Sequence, residues 1–267
     1  MKFKYIFVSL ILILGVASGV VFYYKLDPEL LTRLSFYIDL ANPAMHMVRV
    51  QEGLRKEQIA EVVAQKLDWD EQDKENFINA HLVLKEDDLE GRYFPKTYII
   101  HKDESPAEVT NVMLEEFSKQ VEQIKKKNPK AKQIINDDTA LKIASLIQRE
   151  AGGKSDMRLI SGIIWNRIFS GMKLQVDATL QYAKGSEEDG WWSRVYSEDK
   201  KIDSEYNTYL HKGLPPGAIA NPGPAAIAAA YNPQETKCMF YLHDKNRKIH
   251  CAVTYEDHKK NIDRYLK

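Results

Sequence analysis

Glu150 is the residue of this chain whose position points most directly to chemistry. In the stretch LKIASLIQRE it lies three residues from Ile147, four from Leu146 and seven from Ile143. On a helix that spacing puts a carboxylate on the apolar face, where packing gives it no reason to be. Desolvation by those neighbours and the negative end of the helix dipole both disfavour its ionised form. A carboxyl group that keeps its proton near neutral pH can serve as a general acid, as cleavage of a glycosidic bond requires. The alternative is an ordinary end-of-helix glutamate that reaches solvent or pairs with a cation such as Arg167.

Other polar residues cluster after it. Asn166 and Arg167 interrupt an apolar helical run. Gln175 and Asp177 alternate outward in a segment that reads as extended. Asn207, Thr208 and Tyr209 sit in a loop stiffened by two prolines and a glycine. Amides, hydroxyls and aromatic faces suit a sugar cleft, although loop Asn and Thr commonly serve as caps and turns. Trp191 and Trp192 could stack on sugar rings or plug the edge of a core.

The elements that must position these groups follow from periodicity. A strand near 47–50, a turn at Glu52-Gly53, two helices and a strand at Tyr98-Ile99-Ile100 make a small first unit. Glu90 to Pro95 breaks its pattern. Pro106 to Lys127 reads as a long charged helix with Val109, Val112, Met113, Phe117 and Val121 inward, ended at Asn128-Pro129. Its basic terminus, KKKNPKAK, reads as a solvated helix end. Asn136 caps the helix that carries Glu150, and Gly152-Gly153 stops it. Ser155 is expected to cap the next helix, through Ser170. An alanine-rich helix ends before Pro233, a hairpin spans CMFYLH to IHCAV, and a final helix starts near Tyr255.

Composition bounds the class. The chain has 267 residues, 44% hydrophobic and 28% charged, with 38 basic and 38 acidic side chains. A net charge of zero argues against nucleic acid as a partner. Tyr5 to Tyr24 carries no charge and has the length of a bilayer-spanning helix, with Lys2 and Lys4 before it and tyrosines at its ends. A cleaved signal is the competing reading, given Ala17-Ser18-Gly19. The apolar run continues through Phe22, which favours an uncleaved anchor with the bulk of the chain outside the cytoplasm. There Cys238 and Cys251, nearly opposite across the hairpin, could be a disulfide or two buried thiols. A zinc site using His243, His250 or His258 fits no standard ligand spacing.

The blocks ASLIQREAG, SGIIWNRIFSGMKLQVDATLQYAKG, YNTYLHKGLPPGAIANPG and AAYNP resemble the endolytic murein transglycosylase (MltG, YceG-like) family in order and spacing. VQEGLRKEQIAEVV and LEGRYFPKTY are similar to that family's LysM-like subdomain and the segment that leaves it. Departures are small: Ala178 and Glu205 stand where proline is frequent, and Lys96 replaces a frequent acid.

The resemblance implies an α+β protein with a cytoplasmic N-terminus at 1–4, a transmembrane helix at 5–24 and a connector at 25–46. A LysM-like subdomain at 47–101, a linking helix at 102–135 and a catalytic domain at 136–267 would follow. It implies a cell-membrane enzyme, facing the periplasm or cell exterior, that cuts nascent peptidoglycan strands internally and leaves 1,6-anhydro-N-acetylmuramic acid ends. Glu150 is the implied catalytic residue, and the cleft maps onto Asn166, Gln175, Asp177, Asn207, Thr208 and Asn221. Peptidoglycan strands are the implied partner, with peptidoglycan synthases at the membrane as a further one. No cofactor or metal is implied. Glu150 would protonate the glycosidic oxygen and then act as base on the sugar's own 6-hydroxyl. A hydrolytic muramidase using Asp177 as second carboxylate and a non-catalytic glycan-binding membrane scaffold are the alternatives.

Overall fold

Strands β1 (Met45–Arg49) and β2 (Thr97–His101) pair antiparallel, with Val48 opposite Tyr98 and His46 opposite Ile100. They belong to a computed structural model that describes residues 41–85, 88–128 and 135–267. The expected span at 5–24 and residues 25–40 of the 25–46 connector lie outside the described residues, and β1 begins two residues inside the expected connector. Among the described residues no helix is long and apolar enough to cross a membrane.

Between the two strands run α1 (Lys56–Leu67), α2 (Glu71–Ile78) and a short α3 (Ala80–Leu84). Asp70 caps α2 by accepting the Asp73 N–H, a bond that satisfies one of the helix's orphan donors. Ile59 and Val63 of α1, Phe77 of α2, Leu89, Tyr93 and Ile100 close one buried core. Gly91 has a positive φ of 83°, and a Cβ there would come within 2.8 Å of Ala218 Cβ. Glycine is what allows the chain to break there and still press against the second half.

Helix α4 (Pro106–Lys127) joins the two halves. Ser105 and Glu108 form a capping box and Pro106 takes the first helical position, which fixes its start. At 1.5 Å per residue the helix is about 33 Å long. Val109 and Met113 near its start enter the first core, while Val121 and Ile124 enter the second. Val112, expected inward, is 41% exposed. It falls off the stripe defined by positions 109, 113, 117, 121 and 124.

The second core is helical. Asn136 caps α5 (Asp137–Glu150) by accepting the Thr139 N–H. Ile143, Leu146 and Ile147 of α5 are fully buried, each contributing about 1.5–3 kcal/mol of apolar transfer. Helix α6 (Met157–Phe169) and the alanine-rich α8 (Pro224–Tyr231) pack on α5. The N-cap of α6 is Asp156 rather than Ser155, and its side chain does not cap the helix. Helix α7 (Asp177–Lys184) begins where an extended segment was expected: Val176 is extended, Gln175 before it has a positive φ of 50°, and Asp177 opens the helix. Strands β3 (Phe240–His243) and β4 (Ile249–Ala252) form the C-terminal hairpin, followed by α9 (Tyr255–Tyr265). Cys238 and Cys251 are joined by a disulfide, their Cα atoms 5.9 Å apart. The three histidines near it have separate engagements: His243 meets Asp156, His250 meets Asp244, and His258 stacks on Phe240.

Candidate active site

Glu150 is the last residue of α5 and is partly exposed. The Tyr241 hydroxyl donates to its Oε2 at 2.6 Å from strand β3. Burial pushes the Glu150 carboxyl above the ordinary carboxylate range. The Tyr241 hydrogen bond opposes that rise, the Asp177 carboxylate adds to it, and His243 and the Ala178 N–H oppose it. Burial wins. Burial and the Glu150 charge also hold the Tyr241 phenol well above its ordinary range, so it remains a hydrogen-bond donor.

Arg167, a candidate partner for Glu150, spends its donors on backbone. Its Nε donates to Met239 O at 2.7 Å and its Nη1 to Leu174 O, with the guanidinium 5.5 Å from the Phe240 ring centre. Asn166 acts alongside it, donating to Thr236 O and Cys238 O. Both side chains of α6 therefore fasten the chain that leads into the hairpin.

Gln175 and Asp177 are exposed, with Leu174 and Val176 buried between them. Gln175 adopts a left-handed backbone, φ 50°, which a non-glycine residue adopts at a cost. Thr208 holds it there: its carbonyl accepts the Gln175 N–H and its Oγ1 accepts the Val176 N–H. Thr208 Oγ1 also lies 2.9 Å from Thr179 Oγ1. Asn207 is buried; its amide donates to Lys200 O and Ile202 O while its Oδ1 accepts the Tyr209 N–H. Tyr209, thus aimed, donates to Asp177 Oδ1 at 2.6 Å.

Asn221 lies elsewhere, buried at the seam between the halves. It accepts the Tyr93 N–H on Oδ1 and exchanges backbone bonds with Gly53 and Leu54. Its Nδ2 has no hydrogen-bond partner among the described residues. Trp191 and Trp192 also sit on this seam. The Arg55 guanidinium lies 4.7 Å from the Trp191 ring centre, and that of Arg149 3.7 Å from the Trp192 ring centre. Trp192 donates to Gln58 Oε1 at 2.9 Å.

The structure thus brings Glu150, Asp177 and Tyr209 into one electrostatic neighbourhood, with Thr208 and Asn207 beneath the loop that frames it. Sequence reasoning missed Tyr241 and His243. The period-two pattern of FYLH puts both on one face of β3, but nothing local says which helix end that face will meet.

A family model described as the YceG-like family matches residues 22–264. An endolytic murein transglycosylase of Bacillus subtilis (strain 168) is 32% identical over 242 residues, 82% of this chain and 65% of that protein. One from Streptococcus pneumoniae serotype 2 is 30% identical over 184 residues, 67% of this chain and 32% of that protein. The chain therefore spans less than two thirds of the length of either relative. A 2.6 Å crystal structure of a yceG-like protein from Listeria monocytogenes superposes with a TM-score of 0.70 at 26% identity, covering 82% of this chain and 76% of that one.

Proposed function

The chain belongs to the YceG-like family, and from that premise we propose that it is an endolytic lytic transglycosylase acting on peptidoglycan strands. The observation that carries the reading is the Glu150 carboxyl, held above the ordinary carboxylate range at the end of α5. A protonated carboxyl there donates to the leaving glycosidic oxygen as the bond breaks through an oxocarbenium-like state. The resulting carboxylate takes the proton of the 6-hydroxyl of the same N-acetylmuramic acid, whose oxygen closes on the anomeric carbon. The substrate supplies the nucleophile, so one carboxyl suffices.

The sugar-facing groups in this reading are the exposed Gln175 and Asp177, with Tyr209 beside them. Asn166, Asn207, Thr208 and Asn221 act one layer back, shaping the loops and the seam that present them. Residues 47–101, the proposed LysM-like unit, contribute strand binding and no reacting group. Residues 5–24 anchor the enzyme in the cell membrane with the active site outside, where peptidoglycan synthases are its neighbours.

Two experiments test this reading. Digestion of intact sacculi by the full-length chain should shorten glycan strands to intermediate lengths before disaccharides accumulate; disaccharides from the outset would contradict internal cleavage. A chain lacking residues 1–24 should leave the membrane fraction. A mature wild-type N-terminus near residue 20 would instead show a cleaved signal.

A further inference from the structure

Asp156 occupies an unusual place for an acid. It is 4% exposed, yet it does not cap the helix it precedes. Its Oδ1 accepts the Gly153 N–H at 3.0 Å, its Oδ2 accepts the Gly152 N–H at 3.0 Å, and the same Oδ2 lies 2.7 Å from His243 Nε2. A buried carboxylate needs such donors to be tolerated. The contacts come from two places: the turn immediately after Glu150, whose Gly152 N–H also lies 3.3 Å from His243 Nε2, and strand β3. Asp156 therefore pins the strand to the turn. The fit is close, since a Cβ on Gly152 would stand 2.6 Å from Arg247 O and 2.9 Å from His243 Cδ2.

His243 and Tyr241 are two residues apart on β3, so they project from the same face. While His243 is pinned to the turn, Tyr241 reaches Glu150 Oε2 at 2.6 Å. We infer that Tyr241 is a positioning residue for Glu150, and that the Asp156–His243 pair holds β3 in the register that lets it act. A phenol that donates to Oε2 makes that oxygen the acceptor and leaves Oε1 to carry the acid hydrogen. The carboxyl then offers its proton from one defined side. After the proton has left, the same phenol stabilises the carboxylate.

The other charged and titratable groups facing Glu150 are Asp177 of α7, Arg167 of α6, Tyr209 of the intervening loop, His243 of β3 and Arg149 of its own helix. Arg167 is committed to carbonyls and Tyr209 to Asp177. Tyr241 directs its hydroxyl at the acid itself. The inference rests on the lytic reading for the reaction it serves, but the arrangement has a readout that needs no reaction.

Tyr241→Phe and Asp156→Asn in the full-length chain test it, through kcat and KM on glycan strands across pH. In parallel, ¹³C NMR would follow the Glu150 carboxyl titration, assigned with Glu150→Gln. In Tyr241→Phe, kcat should fall about tenfold with KM unchanged. Loss of a bond that favours the carboxylate should raise the Glu150 midpoint and the alkaline limb of the rate profile by about one pH unit. Asp156→Asn should lower kcat, with the midpoint moved the same way by less. Wild-type kcat and an unmoved midpoint in Tyr241→Phe would overturn the inference. If that variant does not fold, wild-type kcat and midpoint in Asp156→Asn overturn it equally. A wild-type chain that cleaves no glycan would instead sink the proposed activity, and the NMR midpoint would still decide the role of Tyr241.

Discussion

The Tyr209 hydroxyl donates to Asp177 Oδ1 at 2.6 Å, tying the first residue of α7 to a loop 32 residues away. One carboxylate oxygen is thereby occupied, and burial and the bonded Asp177 together push the Tyr209 phenol above its ordinary range. The Asp177 charge in turn disfavours ionisation of Glu150. The two carboxyl groups thus differ in setting: burial raises the pKa of Glu150, and the charge of the exposed Asp177 adds to that rise.

Asp177→Asn should therefore lower the Glu150 pKa. The acid would lose its proton at a lower pH, and the alkaline limb of the rate profile would move down. Because Asp177 is exposed, the move should be under one unit, with a residual rate above a tenth of wild type. Complete loss of cleavage would favour a hydrolytic enzyme with Asp177 as second carboxylate.

Glu150→Gln keeps the shape of the side chain and removes the proton. Cleavage should fall at least ~10²-fold, while thermal stability holds or rises because a half-buried acid has been neutralised. Steady-state rates and a melting curve on the same preparation check both halves. A rate above a tenth of wild type would contradict the assignment.

Much of this site is legible in the sequence, and the boundary of legibility has a physical cause. Glu150 stands out because a helix of period 3.6 makes an acid on an apolar face visible from its neighbours alone. Asn207, Thr208 and Asn221 are legible as polar residues in stiff loops, but residue type does not say whether a side chain points to solvent or back to its own chain. All three turn inward here. Tyr241 and His243 reach the acid from 91 residues and more along the chain, through a hairpin whose placement depends on Arg167, Asn166 and Asp156. Such tertiary contacts leave no periodic trace. Helix α7 was missed because a short helix with a β-branched entry, Val176, looks extended until Thr208 fixes its first turn.

Glu90 gives a pH-dependent prediction for stability. It is 2% exposed at the seam, and its Oε2 lies 3.5 Å from the Tyr182 hydroxyl. Burial, aided by Glu57, pushes its pKa up to about 8. Below the unfolded carboxyl pKa both states hold the proton and nothing is lost. As pH rises from there to about 8 the unfolded chain releases its proton while the folded one keeps it, so stability declines across that window and levels off above it. Glu90→Gln should remove this decline, raising the melting temperature at pH 8 by roughly 8–16 °C for about 4 kcal/mol and leaving it nearly unchanged at pH 4. Equal shifts at both pH values would contradict it.

The Cys238–Cys251 bond closes a loop of sequence separation 13 that contains Tyr241 and His243. Closing such a loop restricts the unfolded chain by about 3 kcal/mol. The double substitution Cys238→Ala, Cys251→Ala should lower the melting temperature by roughly 6–12 °C. It should also reduce kcat more than it raises KM, since the hairpin carries the partner of Glu150. Unchanged kinetics would detach the hairpin from the chemistry.

The most direct test of the central claim is the mass of the chain ends released when the full-length protein digests purified glycan strands. Intramolecular closure of the 6-hydroxyl on the anomeric carbon predicts N-acetylmuramic acid ends lighter by one water than a free reducing end, and unaffected by borohydride. Ends with the full mass of the reducing sugar, reducible by borohydride, would contradict the account and make the protein a hydrolase.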